Sequence, residues 1–191
     1  MRIPAHDVAK KLRKLHAEFR PLRCVEAALE MFQKSLALRS LRRHTRTGQE
    51  AVVGENATRE IVRRLYDAYA ARDFETVTAA LHDNIDWMIY SPVSVFPFAG
   101  QRHGRAAVMQ AMGSIAEQYQ LESYKNEIVI VDGDRAAVMS DVSFTQRATK
   151  RILRFRIANF LRFQDGKLIE FREFVNSFDV VEQALGRELF I

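Results

Sequence analysis

Two Asp-Gly pairs, Asp132-Gly133 and Asp165-Gly166, each sit between long runs of alternating side chains, and no other feature of this 191-residue sequence constrains the fold as tightly. Asp-Gly suits the centre of a tight hairpin turn, where the backbone needs positive φ. The stretches "EIVIVDGDRAAVMSDVSF" and "RILRFRIANFLRFQDGKLIEFREFV" therefore read as two antiparallel hairpins. Successive residues of a strand point to opposite faces. In the last strand Leu168, Glu170, Arg172, Phe174 and Asn176 then share one face, and Ile169, Phe171, Glu173 and Val175 share the other. Glu173 is a carboxylate placed among Ile, Phe and Val.

Helical patterning precedes the hairpins. Thr58 is placed to cap a helix whose inward stripe is Ile61, Leu65, Ala68 and Tyr69, and Asp73 a second one with Phe74, Val77 and Leu81. The segment "IDWMIYSP" reads as a short strand stopped by Pro92, and "VSVFPFAGQRHGR" as a loop. A third helix turns Val108, Met112, Ile115 and Tyr119 to one side. Ser177 is placed to cap a closing helix with Val180, Val181, Ala184 and Leu185, ended by Gly186. This order predicts an α+β domain over residues 51–191, a curved antiparallel sheet covered on one face by helices.

Residues 1–50 differ in kind. They hold 12 Lys and Arg against 5 Asp and Glu, whereas residues 51–191 hold 17 against 19, so the net charge of +5 belongs to the N-terminal segment. A basic balance confined there argues against nucleic acid as the partner of the main domain. Val8, Leu12, Leu15 and Phe19, then Val25, Leu29, Phe32 and Leu36, have helical spacing, and "RSLRRHTRTGQE" reads as a linker. A helical appendage, an organelle-targeting leader, a poorly ordered extension and a later natural start all fit this segment. No apolar run is long enough to span a membrane. The single Cys24, with no secretory signal ahead of it, points to the reducing cytoplasm.

Candidate chemistry centres on Glu173. An inward carboxyl in apolar surroundings has a raised pKa and exchanges protons near neutrality; the structural alternative is neutralisation by a cation such as Arg154 or Arg156. Asp141, on a strand face with Ala137, Met139 and Ser143, is the candidate second carboxylate, and a close pair would split into an acid and a base. Asn159, flanked on its face by Ile157 and Leu161, could orient either group. His103 lies near the expected pocket mouth. Trp87, Tyr90, Phe96 and Phe98 could wall a flat apolar ligand or simply pack as core. Neither the five histidines nor the lone cysteine shows metal-ligand spacing, and phosphate-loop and dinucleotide motifs are missing, so no metal or cofactor is expected.

From about Thr58 to Leu185 the sequence resembles the SnoaL-like branch of the nuclear transport factor 2-like superfamily, the cystatin-like cone that also includes ketosteroid isomerases. The resemblance rests on "YDAYAARDFETVTAALHDNIDW", "FPFAGQRHGRAAV" and "DGKLIEFREF", in that order. It implies a cone-shaped sheet with three covering helices, a deep apolar pocket for a small organic molecule, and homodimers through the outer sheet face. Its members include isomerases, cyclases, epoxide hydrolases and simple binders. The ketosteroid isomerases carry a catalytic Asp before the Pro that ends the first strand, where this sequence has Ser91 before Pro92. Their first-helix Tyr falls on Leu65, with Tyr66 and Tyr69 beside it, and Tyr69 is kept as a pocket residue. The limonene-epoxide hydrolases place an Asp where "FRE" puts Glu173, paired through an Arg with an Asp matched here by Asp141. That Arg is replaced by Met139, and their water-holding Tyr and Asn by Trp87 and Ile89.

Overall fold

The computed structural model describes residues 48–189, and the helical runs expected before them lie outside the described residues. Helix α1 (Gly48–Ala70) begins inside the stretch read as linker. It is followed by α2 (Phe74–Ala80), β1 (Leu81–Tyr90), β2 (Gly100–His103), α3 (Arg105–Gln118), β3 (Tyr119–Asp132), β4 (Arg135–Gln146), β5 (Ile152–Gln164), β6 (Lys167–Val175) and α4 (Ser177–Leu185). The strands form one sheet in the order β2-β1-β6-β5-β4-β3.

The α+β architecture is as expected, with three refinements. Hairpins join β3 to β4 and β5 to β6, and both are antiparallel, but β6 runs parallel to β1. The chain crosses the whole sheet before β6 arrives beside β1, so no hairpin constrains their relative direction. The stretch Gly100–His103, read as loop, pairs with β1 as a short edge strand. Tyr119, expected on the face of the third helix, is instead its extended C-cap and the first residue of β3.

Bulges help set which side chains face the helices, two of them in β3 and one in β6. In β3 the register steps from Asn126↔Ser140 to Ile128↔Met139, leaving Glu127 as the extra residue. An extra residue inverts the alternation beyond it: Tyr124 and Asn126 point inward, yet so do Val129 and Val131, and Ile128 and Ile130 turn outward, 47% and 53% exposed. In β6 the step between Glu170 and Leu168 isolates Ile169 and places Leu168 on the same side as Phe171, against simple alternation.

Between sheet and helices lies the core. Val62, Leu65 and Tyr66 of α1, Val108 and Met112 of α3, and Val180 and Val181 of α4 pack with Ile85, Trp87, Leu161 and Phe171 of the sheet. Each such aliphatic side chain contributes roughly 1.5–3 kcal/mol on burial. Thr58 is not a cap but lies within α1, where its hydroxyl donates to the Gly133 carbonyl at 2.7 Å, with the Gly54 carbonyl at 3.1 Å as the alternative acceptor, tying the helix to the β3–β4 turn. Asp73 does cap α2, accepting from the Thr76 amide at 3.0 Å. Asn176 rather than Ser177 caps α4, and Gly186 ends it at φ 66°. Among the described residues no helix is long and apolar enough to cross a membrane.

Candidate functional site

The strand registers line up one row of inward side chains across five strands: Val129, Val138, Asn159, Glu173 and Ile89. A polar pair, Asn159 opposite Glu173, thus occupies the middle of an apolar row. Beneath it opens a cavity of about 130 Å³. Leu65 and Tyr69 of α1, Met112 of α3, Phe96 and Phe98 of the β1–β2 connection, and Trp87 stacked on Phe171 at 3.6 Å form much of its wall. Glu173 is the single ionisable acid or base of ordinary range in that lining among the described residues; the other polar groups are tyrosines and Ser91.

No cation and no hydrogen-bond donor engages the Glu173 carboxyl among the described residues. Protein atoms enclose it, with part of its surface open to the cavity. Burial alone pushes its pKa up to about 7. The physical cause is loss of water around the charged form with nothing provided in exchange.

Three phenols surround this carboxyl electrostatically. Tyr66, Tyr69 and Tyr124 have raised pKa values, first through burial and further through the negative charge of Glu173. They therefore remain O–H donors throughout the physiological range. Asn159 organises two of them: its Nδ2 donates to the Tyr66 hydroxyl at 2.9 Å and to the Tyr124 hydroxyl at 3.3 Å. Its Oδ1 is buried and has no partner among the described residues, as is true of Trp87 Nε1. The rings of Tyr66 and Tyr69 lie 5.5 and 5.4 Å from that of Tyr124. Behind them Ser140 donates to Asn126 Oδ1 at 2.8 Å.

Residues 62–171 match the SnoaL-like domain family. This chain belongs to the SnoaL-like family. Among solved structures, a protein of Rhodopseudomonas palustris described as a candidate isomerase is 40% identical, with TM-score 0.62, covering 69% of this chain and 97% of its own. A protein of Xanthomonas campestris with a cystatin-like fold is 22% identical, with TM-score 0.57 and coverage of 68% and 98%. TerC, co-crystallised with polyporic acid, is 15% identical, with TM-score 0.57 and coverage of 66% and 98%. Among proteins with curated descriptions, none matches this sequence.

Within this SnoaL-like domain the residues singled out from sequence divide into two groups. Glu173, Asn159, Trp87, Phe98 and Tyr69 come together at the cavity or directly behind its wall. Asp141, Tyr90 and His103 do not. Asp141 is exposed on the outer sheet face, opposite Arg156, because the inward residues of β4 are Ala136, Val138, Ser140 and Val142. It is no acid–base partner for Glu173. Tyr90 follows the inward Ile89 and so turns outward, where it stacks on Phe174 at 4.4 Å. The His103 side chain is 70% exposed and reaches Asp86 at 3.3 Å. Neither reaches the cavity.

Tyr124 and Ser140 lie in the polar cluster beside Glu173, and pattern reading misses both. Tyr124 lies in "YQLESYKN", too polar to announce a strand, and Ser140 is a small polar residue between Met and Asp. Tyr66 was visible only as a neighbour of Leu65 until the inward stripe of α1 proved to be Val62, Leu65 and Tyr66.

Proposed function

We propose that this SnoaL-like protein binds a small, mostly apolar organic molecule in the cavity and carries out cofactor-free acid–base chemistry on it through Glu173. One observation carries the reading: a lone carboxyl, raised to about 7, opens into an otherwise apolar hollow. At neutral pH both its protonation states are populated. The same group can then take a proton from a carbon next to a carbonyl and return it elsewhere, the chemistry of an isomerisation. The phenols of Tyr66 and Tyr69, held protonated and facing the cavity, would donate to oxygen where negative charge develops. Isomerisation ranks first because the 40% identical relative is described as a candidate isomerase. An apolar cavity near 150 Å³ holds about one benzene-sized ring, so a compact ring is the ligand size expected.

Binding without turnover is the second reading. It is favoured by Asp141 pointing away from the cavity and by Ser91, not an acid, lining it before Pro92. Glu173→Gln separates the two: an enzyme loses turnover and keeps its ligand, whereas a binder changes little. The ligand for that assay is sought by native mass spectrometry of protein purified without additives.

The outer face supports a homodimer. Its central row, Ile128, Met139, Ala158, Phe174 and Tyr90, is continuous across five strands through direct register. Ile128 and Tyr90 are exposed at its ends. A second copy of this face would cover that row. Ile130→Glu should shift sedimentation toward the monomer; unchanged sedimentation of a dimer would place its interface elsewhere.

A further inference from the structure

A second hollow, of about 60 Å³, adjoins the main cavity, and five residues line both: Tyr69, Met112, Ile115, Tyr119 and Phe144. Phe74, Ala116, Leu121 and two arginines, Arg72 and Arg147, complete its lining. Each arginine is fixed from both ends. Arg72 sits at φ 61° just after α1, its amide bonded to the Tyr69 carbonyl at 3.0 Å and its Nη2 to the Leu121 carbonyl. Arg147 has its amide on the Gln118 carbonyl at 2.8 Å, Nε on the Ala116 carbonyl at 3.1 Å and Nη1 near Gln120 Oε1 at 3.4 Å.

These contacts hold the guanidinium groups in place without using all their N–H donors. They also leave both charges uncompensated by any carboxylate among the described residues, whose ion pairs involve other groups. Other arginines of the domain divide between carboxylates, as Arg63, Arg105, Arg156, Arg162 and Arg172 do, and backbone carbonyls, as Arg59, Arg102 and Arg151 do; Arg72 and Arg147 differ in lining one hollow together. Two preset, unmatched guanidinium groups beside an apolar hollow have the chemistry that recognises a planar anion.

We propose that the ligand is an amphipathic organic acid, its apolar body in the main cavity and its carboxylate in the adjoining hollow on Arg72 and Arg147. This rests on the reading that the main cavity takes a small apolar molecule, and it adds the chemical class. The hollows are neighbours across the five side chains that line both, so a molecule seated in the first would reach the second where they part, and the exposure of the arginines places its charged end at the solvent side. A neutral hydrocarbon would fill only the first hollow.

The test is calorimetric titration of the full chain with phenylpropionate and with phenylpropionamide, which has the same body and no charge. The acid is expected to bind about fivefold more tightly at low salt, the size of a solvent-exposed charged contact. The advantage should shrink as salt is raised. In Arg72→Gln with Arg147→Gln it should vanish while amide affinity stays put, and that affinity also reports that the variant is folded. Equal binding of acid and amide to the unaltered protein, or an acid preference that survives in the double variant, would refute the proposal and leave the apolar cavity reading standing. Failure of both molecules to bind would remove the cavity reading and this one with it. Should the double variant lose the amide as well, Arg72→Lys with Arg147→Lys decides: a retained acid preference supports the site, its loss with amide binding intact counts against it.

Discussion

Glu170 and Glu173 lie three residues apart on β6 and meet opposite fates. Glu170 faces outward, where Arg162 reaches it at 2.9 Å and Arg172 at 3.3 Å, and Arg172 goes on to pair with Asp86. Burial works to raise the Asp86 carboxyl, but hydrogen bonds from Arg172 and Gln101 and the Arg172 charge outweigh it and hold it below its ordinary value. Glu173 faces inward, meets phenols and an amide instead of cations, and is raised. One strand thus carries an acid paired with arginines on its outer side and an unpaired, buried one on its inner side. The difference teaches that a pKa follows from the face of the sheet a residue occupies, not from its neighbours in sequence.

The sharpest way to break that contrast is Glu173→Gln. If the carboxyl transfers protons, turnover of a substrate should fall by about 10²-fold or more with little change in binding. The activity of the unaltered protein should also titrate near pH 7, and a pH profile flat from about 5 to 9 would rule the group out as the proton carrier.

The same variant should gain stability above neutrality. The folded chain holds a proton on Glu173 that the unfolded chain releases above 4.5, so this contribution is complete below the unfolded value and is lost as pH rises through about 7. Urea denaturation at about pH 8 should show Glu173→Gln more stable than the unaltered protein by ~1–3 kcal/mol, with the gap closing near pH 4.5. An equal gap at both pH values would mean that the carboxyl is not raised in the folded state.

Tyr66→Phe tests the polar cluster behind the acid. It leaves the Asn159 amide with only the 3.3 Å contact to Tyr124, and the cost should be about 1 kcal/mol in chemical denaturation. At the small end, Glu170→Gln removes one acid from the partly exposed outer network and should change stability by under ~1 kcal/mol and turnover not at all. A large kinetic effect there would erase the distinction between the two faces.

Much of this was legible along the chain because it depends on local rules. The Asp-Gly pairs marked both hairpins, although only Asp165-Gly166 is a turn centre and the first turn centres on Gly133-Asp134; alternation placed Glu173 and Asn159 inward, and Asp73 and Gly186 mark helix ends through their own side-chain and backbone chemistry. Two different things misled the reading, a bulge and the choice of which face is covered. The bulge at Ile169 brings Leu168 inward, while Asp141 keeps the alternation phase of Ala137 and Met139, which is the outer one. Neighbouring apolar residues do not reveal which side of a sheet the helices will cover.

The sequence by itself determined that a carboxylate would sit on the apolar side of the last strand, since a period of two residues is a property of extended backbone. Only the tertiary structure decided that Glu173 would be alone there, with Asp141 on the other face and with Tyr66 of α1 and Tyr124 of β3 gathered around Asn159. Those groups are 93 and 35 residues apart from Asn159 along the chain. Alternation says nothing about such separations; helix packing and strand register set them, and with them the surroundings that raise the pKa of Glu173.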